Sequence, residues 1–172
     1  MSAAKETAPA YAELHCVSNF SFLRGASHAE ELVAQARALG YTALALTDEC
    51  SLAGVVRAHS AIRKPAAGKV PAGKLPDKPL KLIIGSEIRL DCGLRFVAIA
   101  RNRAGYARLS RLITRGRRKA EKGSYSLCRA DVEEFLGDGA TPASGETVAE
   151  GTLVLWLPVL QVGALGEDAQ AL

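Results

Sequence analysis

The sequence predicts an α/β protein, built as an incomplete β/α barrel with mostly parallel strands and one hairpin. Three observations carry that expectation. Short apolar strands alternate with amphipathic helices in the order β-α-β-α-β. Those strands are apolar at consecutive positions, as in a sheet buried on both faces. The chain has 172 residues, fewer than the ~250 that a β/α barrel takes to close.

The elements follow in order. Ala12 to Cys16 is a short apolar strand, and Ser18 to Ala26 a polar turn containing Gly25. A helix over His28 to Leu39 is expected from Leu32, Val33, Ala36 and Leu39 at helical spacing, with Ser27 and Glu30 as a capping box and Gly40 as its end. Thr42 to Leu46 is the second strand, Leu52 to about Lys64 a helix capped by Ser51, and Lys81 to Ile84 the third strand. Ile88 to Leu90 and Leu94 to Ala100, joined across Asp91-Cys92-Gly93, read as the hairpin, because Asp and Gly tolerate turn conformations. Helices over Ala104 to Lys119 and Ala130 to Leu136 precede a last strand, Thr152 to Leu157, whose Trp156 is expected in the core.

Three stretches fall outside this pattern. Residues 1–10 lack an apolar core and are expected to be a flexible N-terminus. Pro65 to Pro79 holds four of the seven prolines and is expected to be a mobile loop insertion within a domain of residues 11–158. Residues 159–172 begin an amphipathic pattern that stops, as in a truncated segment.

Composition excludes several function classes. With 48% hydrophobic and 23% charged residues the chain is neither disordered nor fibrous. No apolar run approaches a membrane span and no secretory signal opens the chain, so a soluble, cytoplasmic protein without a membrane partner is expected. Cys16, Cys50, Cys92 and Cys128 form no CxxC pair and are read as reduced, mostly buried thiols. No phosphate-binding glycine loop or GxSxG elbow is present, so ATP hydrolysis and serine-hydrolase chemistry have no starting point, and no small-molecule cofactor is expected.

Each of the first three strands ends in polar residues: His15, then Asp48 and Glu49, then Glu87. Carboxyl ends of parallel strands face the functional site in such folds. A histidine with three carboxylates can bind Zn²⁺ or Mn²⁺ and activate water. Equally, Asp48 and Glu49 can cap the following helix while His15 is a hydrogen-bonded core histidine.

Three runs carry a family resemblance: LHCVSNFSFLRGASHAEELV (Leu14 to Val33), ALALTDECSLAGVVRAH (Ala43 to His59) and LIIGSEIRL (Leu82 to Leu90). They resemble the amino-terminal PHP (polymerase and histidinol phosphatase) domain of bacterial C-family DNA polymerases. SNFSFLRGASH and TDECSLAGVVRAH are closest to the error-prone, damage-tolerance branch. The resemblance continues through Arg101 to Tyr125 and LVLWLP at Leu153 to Pro158, so it spans nearly the whole chain. It implies a distorted barrel of the PHP type.

The resemblance also implies a degenerate site. Active PHP domains open with His-x-His, whereas here His15 is followed by Val17. A ligand Asp is usual before the loop glycine, where Arg24 stands before Gly25. Thr-Asp-His has become Thr47-Asp48-Glu49, Gly-x-Glu survives as Gly85-Ser86-Glu87, and Arg95 aligns where many relatives have a histidine. At ~4 Å and an effective dielectric of ~20, Arg24 repels a cation by about 4 kcal/mol per unit charge. The expectation is therefore no metal, with His15, Glu49 and Glu87 as the ligands if one binds. Asp48, Glu49 and Glu87 would then crowd together, and Arg24 is expected to pair with Glu49 or Glu87 in place of the cations.

Between Arg101 and Lys122 lie nine basic residues and one acid, +8 in a chain of net +4. Arg108, Arg111, Arg115, Arg118 and Lys122 recur at three- and four-residue steps, which is either a solvated helix face or a surface for DNA or an acidic partner. Taken with the resemblance, this implies a scaffold domain of an error-prone DNA-directed DNA polymerase acting in translesion synthesis. Its Mg²⁺-binding palm would lie outside this stretch, and its partners would be DNA, the polymerase core and damage-tolerance proteins. The alternatives are a residual metal-dependent phosphoesterase or 3′ exonuclease, and a stand-alone basic nucleic-acid-binding module.

Overall fold

The computed structural model describes residues 10–63, 79–137 and 151–158. The expectations for the N-terminus, the 65–79 insertion and residues 159–172 lie outside the described residues, apart from Ala10 and Pro79. The elements are β1 (Ala12–Cys16), α1 (Ala29–Ala38), β2 (Ala43–Leu46), α2 (Val55–Arg63), β3 (Lys81–Arg89), β4 (Arg95–Ala100), α3 (Arg103–Arg118), α4 (Arg129–Leu136) and β5 (Thr152–Leu157).

The strands form one curled sheet, a half-barrel, in the order β1-β2-β3-β4-β5. β1, β2 and β3 are parallel neighbours, β4 runs antiparallel to both β3 and β5, and so four of the five strands point the same way. The expected third strand and first hairpin arm are one nine-residue strand, because Gly85 does not interrupt it. A Cβ there would stand 2.8 Å from the Ala98 carbonyl oxygen, so the glycine is required by the close approach of β4. The hairpin closes as expected, with the Leu90 amide donating to the Leu94 carbonyl and Gly93 at φ +84°.

α1, α2 and α3 pack on one face of the sheet, and α4 packs against α3. Leu44, Leu46, Leu82 and Ile84 meet Val33 and Ala36 of α1 and Val55 and Ala58 of α2. Ile88, Phe96 and Ala98 meet Leu109 and Leu112 of α3, together with Leu127. Side chains alternate faces along a strand, so His15, Thr47, Glu87 and Arg95 point to the other, inner face. A barrel fills that face with its own side chains, and here Ala45 and Val97 are buried on it.

Several boundaries shift for local reasons. α1 begins one residue late, with Glu31 rather than Glu30 accepting from the cap amide of His28. Ser51 caps a turn ahead of α2, its hydroxyl accepting from the Ala53 amide. Trp156 is 63% exposed rather than in the core, because among the described residues β5 is the last strand of the sheet and lies beyond the helices' cover. Cys50 is buried and Cys16 half-buried, while Cys92 and Cys128 are exposed; all four are free thiols. Among the described residues no helix is long and apolar enough to cross a membrane.

Candidate functional site

The inner face ends in a cluster at the carboxyl ends of β1, β2 and β3. Glu49 extends the β2–β3 ladder by one parallel bridge to Glu87, which sets the two carboxylates side by side. The hairpin returns β4 to the same end, and with it Arg95. The loop from β1 brings Arg24 in from above.

Glu87 is fully buried, and both of its oxygens are occupied. Arg24 meets it fork to fork, Nη1 donating to Oε1 at 2.9 Å and Nη2 to Oε2 at 2.8 Å. Arg95 donates Nε and Nη2 to Oε1 at 3.1 and 2.6 Å, and His15 Nε2 lies 2.8 Å from Oε2. Burial by itself would raise the carboxyl pKa. The bonds from Arg24, Arg95 and His15 outweigh it and bring the pKa down to about 2.

Arg24 Nη1 also donates to Glu49 Oε2 at 2.8 Å, so the expected pairing is present with both carboxylates at once. The other Glu49 oxygen accepts the Tyr125 hydroxyl at 2.8 Å. Burial would raise the pKa of Glu49, but the bonds from Arg24 and Tyr125 lower it on balance. The Tyr125 hydroxyl is pushed up by its own burial and by Glu49, so it stays a protonated donor.

Asp48 does not join this group. It is buried on another side and accepts from the Ser18 amide at 2.7 Å, the Ser18 hydroxyl at 2.8 Å and the Ser21 hydroxyl at 2.7 Å. The expected crowding of three carboxylates is thereby corrected to two, because the serines of the Arg24 loop absorb the third. Asp48 holds that loop in place, and the loop holds Arg24. Gly25 completes it: a Cβ there would stand 2.1 Å from the Ser18 carbonyl oxygen. Val17, half-buried after β1, offers no donor atom.

Three further contributors carry no motif in the sequence. Ser86, facing away from Glu87, donates to the Asp48 carbonyl at 2.7 Å and accepts from the Ser51 amide. Tyr125 reaches Glu49 across 76 positions. Arg117 stacks over the Tyr125 ring and donates to the Cys50 carbonyl through Nε and Nη2, at 3.2 and 3.1 Å. Cys50 has φ +44°, a strained value for a residue with a side chain, and the Arg117 bonds together with its own amide bond to the Glu87 carbonyl hold it there. The one available signal was the density of arginine in Arg101 to Lys122.

The basic row separates on folding. Arg108 is half-buried, its guanidinium against Gly151 at the entry to β5. Arg111, Arg115 and Arg118 line a groove between α3 and α4 with Ser110, Thr114 and Phe135. Arg115 pairs with Glu134 at 3.0 Å and lies over Phe135. Lys122 lies past the end of α3, in the turn that follows, so it does not share the helical face.

A divalent cation does not fit the donors as they stand. His15, Glu49 and Glu87 are the available ligands, and each is already committed to another side chain of the cluster. Two guanidinium charges balance the two carboxylates, so an ion would meet repulsion without free oxygen. Among the described residues no group of three His, Cys, Asp or Glu is arranged to hold a metal.

Comparison with known proteins identifies the family. The PHP domain family matches residues 13–156. The chain is 50% identical over 173 residues to an error-prone DNA polymerase of Azoarcus sp., an alignment covering 94% of this chain and 15% of the relative. It is 55% identical over 150 residues to an error-prone DNA polymerase of Dechloromonas aromatica, covering 87% and 13%. The chain thus spans about a seventh of the length of the curated relatives it matches. A solved structure from Bifidobacterium adolescentis, described as a candidate metal-dependent phosphoesterase, is 24% identical with a TM-score of 0.45, covering 62% of this chain and 33% of that one. With that family match covering residues 13–156, most of its length, the chain belongs to the PHP domain family.

Proposed function

We propose that this chain is the PHP domain, residues 11–158 with 65–79 as an insertion, of a cytoplasmic error-prone DNA-directed DNA polymerase. That enzyme acts in DNA damage tolerance, repair and translesion synthesis, and within it the domain is a metal-free scaffold rather than a nuclease. The observation that carries the scaffold reading is the saturation of Glu87. Five hydrogen bonds from Arg24, Arg95 and His15 leave it no oxygen for a cation or for water activation. The identity of 50–55% with proteins named error-prone DNA polymerase supports the wider assignment.

In this reading Mg²⁺ belongs to a palm outside these 172 residues. DNA is the substrate of the whole enzyme, and the polymerase core and damage-tolerance proteins are the domain's partners. The test is primer extension by the polymerase that carries this chain, on undamaged and abasic templates, with a 3′-mismatched primer to read excision. Extension past the lesion without removal of the mismatch is expected. Mismatch excision that Glu87→Gln abolishes would establish a working nuclease site and overturn the scaffold reading, and failure to extend any primer would overturn the polymerase assignment.

A further inference from the structure

At its carboxyl end β3 carries two charged residues on its inner face, Glu87 and Arg89, and they meet opposite fates. Glu87 is saturated, whereas Arg89 lies directly opposite Arg95 in the β3–β4 ladder. Like charges facing each other across antiparallel strands repel. Arg95 is drawn aside to Glu87. The exposed Arg89 guanidinium is left with no hydrogen-bond or ion-pair partner among the described residues.

Arg89 lines a cleft of about 300 Å³ together with Glu49, Arg117, Gly123, Ser124 and Tyr125. The one carboxylate there is spent, since Glu49 gives one oxygen to Arg24 and the other to Tyr125. Among the described residues Arg117 lies over the Tyr125 ring and hydrogen-bonds only to the carbonyl oxygens of Glu49, Cys50, Gly123 and Ser124. Those bonds fix its position but do not neutralise it. The Ser124 hydroxyl has no partner among the described residues. Two guanidinium groups without a carboxylate partner among the described residues, and a hydroxyl, therefore line one opening of small-ligand size. A tetrahedral oxyanion of high charge suits that set, because an arginine fork binds two phosphate oxygens at once.

We propose that this cleft is a phosphate-binding site. Arg89 and Ser124 donate to the phosphate oxygens, and Arg117 supplies the fixed positive field. The proposal does not rest on the polymerase assignment, and it holds with or without a nuclease at Glu87.

The test is calorimetric titration of the 172-residue chain with sodium phosphate at constant ionic strength, against sodium chloride. Saturable phosphate binding is expected, weakened about tenfold in Arg89→Gln by the loss of a charge-assisted hydrogen bond. Arg89→Lys should restore part of it. Arg63→Gln, the same charge change at the exposed end of α2, should leave Kd within about twofold, since distant surface charges are screened. A phosphate titration indistinguishable from chloride overturns the proposal. Binding untouched by Arg89→Gln, or weakened equally by Arg63→Gln, overturns it as well. Oligothymidylate with and without a 5′-phosphate distinguishes the sources. Arg89-dependent binding of the phosphorylated strand alone assigns a terminal phosphate, equal binding of both a backbone phosphate, and binding of inorganic phosphate alone the free ion, each supporting the site.

Discussion

Glu87 has no solvent contact and is held ionised by the bonds from Arg24, Arg95 and His15. Arg24→Ala removes two of its bonds and the one cation on Glu49. Breaking a buried pair costs ~3–5 kcal/mol, and since a third of the Arg24 side chain reaches solvent, the loss should fall at the lower end, read as the urea midpoint. Arg24→Lys should recover only part, because a single ammonium cannot hold both Glu87 oxygens and Glu49. The same contacts set a pH dependence. A carboxyl brought down to about 2 in the folded state stabilises the protein above its ordinary pKa and ceases to do so as pH falls toward 2. Unfolding free energy should therefore be flat from neutrality to about pH 5 and decline below it by roughly 3 kcal/mol for this group. Asp131 loses stability over the same window. Burial would raise its pKa, but bonds from the Cys128 amide and Lys119 hold it at about 2. The comparison that isolates Glu87 is with Glu87→Gln, whose profile should be flatter; equal slopes would dissociate the site from acid stability.

α3 shows how an element changes the meaning of a sequence pattern. Arg108, Arg111, Arg115, Arg118 and Lys119 share one side of a helical wheel, but α4 supplies Glu134 to Arg115 and Asp131 to Lys119, while Arg108 lies against Gly151 at the entry to β5. Arg111 and Arg118 are left facing the groove without a carboxylate among the described residues. If the helix meets duplex DNA, each of these two should contribute ~0.9 to the slope of log affinity against log salt. Arg111→Ala and Arg118→Ala should flatten the slope by that amount, measured by fluorescence anisotropy, and Arg115→Ala by less. An unchanged slope in all three would remove this face from DNA contact.

At the scale of the molecule, the half-barrel ends on β5 with its outer edge unpaired among the described residues, and Leu153, Val154 and Trp156 are exposed along it. An apolar edge strand is a site of association. Trp156 is the single tryptophan, so fluorescence reads this edge alone. Red-shifted emission with efficient acrylamide quenching is expected from the 172-residue chain at low concentration. Blue-shifted, protected emission under those conditions would mean that the edge is covered.

The sequence by itself determined the α/β class, the order of strands and helices, the hairpin across Asp91-Cys92-Gly93 and the strand-end residues His15, Glu49 and Glu87. Each rests on local periodicity, turn chemistry or a run of neighbouring residues. It also carried the Arg24 pairing, because the family resemblance puts Arg24 at a ligand position beside Asp48, Glu49 and Glu87. Tertiary structure alone decided that Asp48 turns away to Ser18 and Ser21, that Tyr125 and Arg117 complete the site, and that Trp156 lies at an edge. Those outcomes depend on which distant backbone a side chain meets. Tyr125 is 76 positions from Glu49 and carries no periodicity that points there. Whether an apolar strand is central or at an edge is set by its neighbours, not by its own residues.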